Sequence, residues 1–108
     1  MTSFDDRERA FENKFAHDAE LRFKAEMRRN KLLGLWAAEL MGMAEDKALA
    51  YAKDIIRSDL AEAGDEDVFR KLRADFDAFG VEISDHRIRK AMEEKLLEAR
   101  RQVMAEAK

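Results

Sequence analysis

The side chains that could do chemistry are few and scattered in this 108-residue chain: two histidines, three serines and no cysteine. His17 and His86 each lack the glutamate three positions earlier that marks the Glu-x-x-His pairs of di-metal bundles. Ser3, Ser58 and Ser84 are not set in a His and Asp constellation of the kind a nucleophile needs. Carboxylates abound, yet they alternate with Lys and Arg on faces that read as solvated, where nothing would raise a pKa for general acid work. The acidic stretch from Glu62 to Asp67 does not have the spacing of an EF-hand loop, and capping of a following helix accounts for it. His17 beside Asp18 could titrate near neutrality, although a solvated imidazole is the plainer reading. The residues therefore predict neither catalysis nor a metal site, and no cofactor is required.

Composition narrows the classes further. The length is that of one domain, the charged fraction is 42% and there is no proline. Absence of cysteine suits a reducing cytoplasm. No apolar run reaches membrane-spanning length, and the first residues lack the basic and apolar regions of a secretory signal, so a soluble cytoplasmic protein without membrane insertion is expected. A net charge of -3 with both signs interleaved argues against nucleic acid as a partner.

Four helices follow from the apolar periodicity and from Gly42, Gly64 and Gly80, each placed where a helix would end in left-handed geometry. The first is expected from about Ser3 to Met41, with Gly34 inside it as a weak point. The second spans about Ala44 to Ala61 with Ala48, Tyr51 or Ala52, Ile55, Ile56 and Leu60 inward. The third, from near Asp65 to Phe79, buries Val68, Phe69, Leu72, Phe76 and Phe79. The fourth starts at Ser84 or Asp85 and turns Ile88, Met92, Leu96, Ala99 and Val103 inward, with Arg100 and Arg101 near the negative end of its dipole. Acid-before-base pairs four apart, such as Glu20 with Lys24, Glu66 with Arg70 and Asp67 with Lys71, support the helices. No strand pattern or repeat is visible, and the predicted fold is an all-α four-helix bundle. Its core is drawn from Leu32, Leu33, Trp36, Leu40, Ile56, Leu60, Phe69, Leu72, Phe76, Met92 and Leu96.

The N-terminal stretch is distinctive. Phe4, Phe11, Phe15, Ala19, Phe23 and Met27 recur at steps of seven and four and form one apolar stripe on a densely charged helix. Residues before about Ala19 extend past the bundle, and an isolated helix of that length is marginal in water. The sequence allows two readings: a segment that frays when free and folds on a partner, or a lid of phenylalanines folded back on the bundle.

The run FDDRERAFENKFAHDAELRFKAEMRRNKLLGLWAAELMG, followed by GDEDVFRKLRADFDAFG, closely resembles the zeta subunit of alphaproteobacterial F-type ATP synthases over essentially the whole chain. The resemblance implies an inhibitor of ATP hydrolysis, peripheral to the inner membrane through its partner, the soluble catalytic head. It implies a labile inhibitory segment at residues 1–18 and a bundle domain at 19–108. The segment maps onto Phe4, Asp5, Asp6, Arg7, Glu8, Arg9, Phe11, Lys14 and Phe15. It would enter the interface between a catalytic and a non-catalytic subunit beside the central rotor stalk, blocking rotation in the hydrolytic direction. Phenylalanines would anchor it and charges would set register.

The resemblance also implies ADP or ATP as a ligand of the bundle. Four scattered glycines exclude a phosphate-binding loop of the Walker type. Two places remain: Trp36 for adenine stacking with Arg29, or the start of the fourth helix with Ser84, His86, Arg87 and Lys90. For any one of these residues, core packing or solvation is the plainer reading. Three functional readings are thus open: a monomeric protein inhibitor, a nucleotide-sensing regulator, and a homodimeric scaffold zipped through Phe4, Phe11 and Phe15.

Overall fold

The structure, a computed structural model, describes residues 18–61 and 65–107. Expectations for Phe4 to His17 and for Gly64, and for the side chain of Leu60, lie outside the described residues.

Asp18 starts the first helix. Its backbone is extended (φ -111°, ψ 99°), and its carboxylate accepts from the Leu21 amide at 3.1 Å. A residue in that conformation cannot continue an α-helix, so the single helix expected from Ser3 to Met41 is corrected: α1 is Ala19–Leu40. Three more follow: α2 is Glu45–Ala61, α3 Glu66–Ala78 and α4 Asp85–Glu106. Gly42 (φ 73°) and Gly80 (φ 71°) sit just past α1 and α3 in left-handed geometry, as their positions predict. Ser84 caps α4 by accepting from the Arg87 amide at 3.1 Å. Arg100 and Arg101 do not serve the α4 dipole, because the helix runs on to Glu106 and its last turn carries no basic residue.

Helices α1 and α4 have 22 residues each against 17 and 13 for α2 and α3, so the bundle measures 47 × 26 × 25 Å. The two long helices outlast their neighbours at one end. The main core joins Leu33, Ala37, Tyr51, Ile55, Val68, Leu72, Phe76, Ile88 and Met92. A separate small cluster of Leu21, Ala25 and Val103, with Met104 against it, closes the start of α1 on the end of α4. Contacts of Leu21 with Val103 and of Tyr51 with Asp75 run antiparallel, as short connections require.

Gly34 is a point of close approach rather than of weakness. It is buried, and a Cβ placed on it would lie 2.6 Å from the Cα of Ala52. Helices α1 and α2 can meet this closely because Gly34, Ala37, Ala38 and Ala52 present so little side chain.

Two apolar residues expected inward, Phe79 and Leu40, are outside, and Phe23 of the N-terminal stripe is exposed as well. Phe79 is 53% exposed because it is the C-cap of α3, where the helix ends and the chain turns away. Leu40 is 46% exposed at the last residue of α1. Phe23 is 51% exposed, two residues from Leu21 and two from Ala25, which puts it about 200° round the helix from both. The aromatic stripe is therefore not the buried face of α1. That face runs Leu21, Ala25, Arg29, Leu33, Ala37, at steps of four.

Candidate functional site

Arg29 occupies a core position on that line, and the bundle builds an acceptor set around it. Its side chain is 2% exposed. Nε donates to Asn30 Oδ1 at 2.7 Å, and Nη2 donates to Asp65 Oδ1 at 3.0 Å with Asp59 3.7 Å away. Asn30 in turn donates to Asp59 at 2.8 Å. Among the described residues no buried side-chain nitrogen or oxygen lacks a partner, so the charge is fully compensated. This network crosslinks α1, α2 and the start of α3.

The acidic stretch before α3 consequently serves ion pairs more than capping. Asp65 is the N-cap residue but makes no side-chain cap bond. Glu66 crosses to Arg89 of α4 at 3.0 Å, and Asp67 meets Arg70. A buried guanidinium needs a protein acceptor, whereas exposed helix-end amides can be served by water. Donating to Glu66 raises the Arg89 pKa, and donating to Asp77 and Asp85 raises that of Arg73. A shallow cleft of about 160 Å³ borders this region, lined by Arg29, Asp65, Arg89, Met92, Glu93 and Leu96.

The two nucleotide candidates are brought together in part. Trp36 is half-buried, edge-on to Phe76 with ring centroids 5.7 Å apart. The Arg87 guanidinium lies over the indole at 5.4 Å, so one member from each candidate set meets the other. Arg29 is directed to Asp59 and Asp65 instead. Ser84 is engaged as the cap, and His86 and Lys90 are exposed on the first turns of α4. Adenine stacking on this face of Trp36 would have to share it with Arg87.

Tyr51 was read as core and has a polar partner as well. Its hydroxyl donates to Asp75 Oδ2 at 2.7 Å, and Lys71 sits 3.1 Å from the same carboxylate and 5.5 Å over the phenol ring. Burial, then the hydrogen bond to Asp75, pushes the Tyr51 pKa upward.

Outside the core, α1 carries a second unburied feature. Lys24, Met27, Arg28, Lys31, Ile56, Val103 and Glu106 line an open groove of about 400 Å³ between α1, α2 and the end of α4. Arg28 is pinned there by Gln102 at 2.8 Å and by both oxygens of Glu106 at 2.7 and 2.9 Å. The sequence reading missed the Arg29 network and this groove. The four-residue spacing of Leu21, Ala25, Arg29 and Leu33 was the signal for the first.

Among the described residues there is no cluster of His, Asp and Glu that could hold a metal ion, and no helix is long and apolar enough to cross a membrane. Fold and site thus define a small all-α bundle whose charged groups fasten helices and whose exposed features are surfaces.

The chain matches the ATPase inhibitor subunit zeta family over residues 1–102 and belongs to it. A chain solved by solution NMR is 43% identical, with a TM-score of 0.71 over 80% of this chain and 98% of that one. No curated protein matches. The family is one of inhibitor subunits, which points to a regulatory role.

Proposed function

We propose that this protein inhibits ATP hydrolysis by the catalytic head of an F-type ATP synthase, with residues 1–18 as the inhibitory element. The family match carries this reading, because it includes the first residues and not the bundle alone. Phe4, Phe11 and Phe15 anchor the element in a crevice between a catalytic and a non-catalytic subunit, next to the rotor stalk. Asp5, Asp6, Arg7, Glu8, Arg9 and Lys14 set its register at the rim. The extended backbone at Asp18, where α1 begins, supports a boundary between element and bundle at this point. A helix lodged there obstructs rotation during hydrolysis, and the bundle stays outside as its holder. The protein acts as a monomer in the cytoplasm, bound to the membrane only through the synthase.

Hydrolysis by purified heads tests this, with the intact chain and a chain lacking residues 1–18 added in turn. Inhibition by the intact chain alone supports the reading, and equal inhibition by both overturns it.

A nucleotide-sensing role is a second reading, favoured by the Trp36 and Arg87 pair with Lys90 nearby in sequence. Trp36 is the single tryptophan, so a fluorescence titration with ADP and with ATP reports this site directly. An unchanged signal at millimolar nucleotide eliminates it.

A further inference from the structure

A polar layer divides the buried line of α1. Leu21 and Ala25 come before Arg29 and Asn30, and Leu33 and Ala37 come after them. The two sides belong to different apolar clusters: Leu33 and Ala37 to the main core, Leu21 and Ala25 to the small cluster with Val103. The fastenings divide at the same place. Arg29 and Asn30 hold α1 to Asp59 of α2 and to Asp65 at the start of α3, whereas Arg28 holds it to Gln102 and Glu106 of α4. Asn30 meets Asp59 close to the end of α2 at Ala61, so the antiparallel α2 soon stops running beside the start of α1. From Ala19 to Arg28, α1 therefore rests mainly on α4.

We propose that Ala19 to Arg28, with the last turns of α4 at 99–106, form a latch that opens as a unit while the main core stays folded, Arg28 being its catch. Cooperative units separate where apolar packing is interrupted, and the interruption here is Arg29 and Asn30, whose acceptors lie on the core side. The catch is solvated, with Arg28 30% and Glu106 58% exposed, so it holds far less firmly than the buried Arg29 clamp. Once off α4, a stretch of about ten residues has little helix stability of its own. The consequence for function rests on the inhibitory reading above. Residues 1–18 are joined directly to this stretch, so opening adds up to about 33 Å to their reach from the core. It also uncovers Leu21 and Ala25 as further apolar anchors, which lets the element enter a deeper crevice than a closed bundle allows.

Hydrogen exchange of the free full chain, followed amide by amide by NMR, tests the latch. Amides from Arg22 to Arg28 and from Val103 to Glu106 are expected to share one opening, at least about tenfold more frequent than that of Leu33 to Ala37, with the step at Arg29 and Asn30. Ile55→Val loosens only the main core, so it should speed exchange at Leu33 to Ala37 about fivefold and leave Arg22 to Arg28 unchanged. Arg28→Ala should speed exchange in the latch about fivefold. One opening common to all these amides, a gradual fraying without a step, or an Ile55→Val effect equal in both regions overturns the latch. An unchanged latch in Arg28→Ala overturns the role of Arg28.

The functional half of the proposal is tested by a covalent lock, because the chain has no cysteine of its own. In Leu21→Cys/Val103→Cys a disulfide closes the latch across its own cluster, and mass spectrometry confirms the bridge. The oxidised protein is expected to inhibit hydrolysis by purified catalytic heads about tenfold less well than the same protein reduced. Equal inhibition by the two forms overturns the role of opening. If the wild-type chain leaves hydrolysis untouched, the inhibitory reading itself fails, while the exchange pattern of the free chain decides the latch independently.

Discussion

Arg29 donates across 3.0 Å to Asp65, joining a guanidinium that is 2% exposed to a carboxylate that is 60% exposed. The bond runs from the middle of α1 to the residue that starts α3. Asp59, at 15% exposure, closes the other side of the same cation. The three groups convert a charge at a core position into a clamp on the α2–α3 connection.

Removing the cation strands its partners. Arg29→Ala should cost about 3 kcal/mol, since the Asp59 carboxylate and the Asn30 oxygen lose their buried cationic donor and a cavity opens at a core position. Asp65→Asn should cost under about 1 kcal/mol, because Asp65 is largely solvated and Asp59 remains. Urea unfolding of the two variants gives the comparison. Equal losses would show that Asp65, rather than Asp59, carries the compensation.

Tyr51 makes stability depend on pH in the alkaline range. Its folded pKa is raised, first by burial and then by the Asp75 hydrogen bond, so the folded state holds the phenol proton more tightly than the unfolded state. The contribution is complete below the ordinary phenol pKa of about 10 and is lost as pH rises through the folded value. Once the unfolded phenol ionises, stability should fall by about 1.4 kcal/mol per pH unit from this group alone. Tyr51→Phe should lack that slope and lose about 1 kcal/mol at pH 7. Tyr51 is the single tyrosine, so absorbance near the phenolate band follows it without interference.

Gly34→Ala sets two effects against each other. Alanine raises helix propensity by about 1 kcal/mol, but its Cβ would be 2.6 Å from the Ala52 backbone. Helix α1 must then move off α2, and overpacking of this kind costs about 1 to 3 kcal/mol. A lowered thermal midpoint is expected, and a raised one would mean that the two helices separate freely.

Anchor and rim residues of the proposed inhibitory element should separate in a titration against catalytic heads. Phe15→Ala is expected to lose about tenfold or more in affinity, and Arg9→Ala less, because truncating a desolvated aromatic costs more than removing a solvated rim charge. Equal losses would remove the anchor-and-rim distinction.

Periodicity and punctuation were enough to set the number of helices, their order and most of the core. Gly42 and Gly80, the Ser84 cap and the Val68, Phe69, Leu72 and Phe76 seam are local signals, because helix ends and faces depend on residues within one or two turns. The family was also legible, from long runs of characteristic residues. What needed the tertiary structure was which side of α1 is covered. The Phe23 stripe and the Leu21, Ala25, Arg29 line are both regular on the same helix, and only the lengths and positions of α2, α3 and α4 decide between them. Burial of Arg29 likewise depends on Asp59 and Asp65, 30 and 36 residues away, and no local rule can place a charge in a core before its acceptors are brought to it. Helix formation is a short-range property of the chain, whereas exposure is settled by the neighbours that folding supplies.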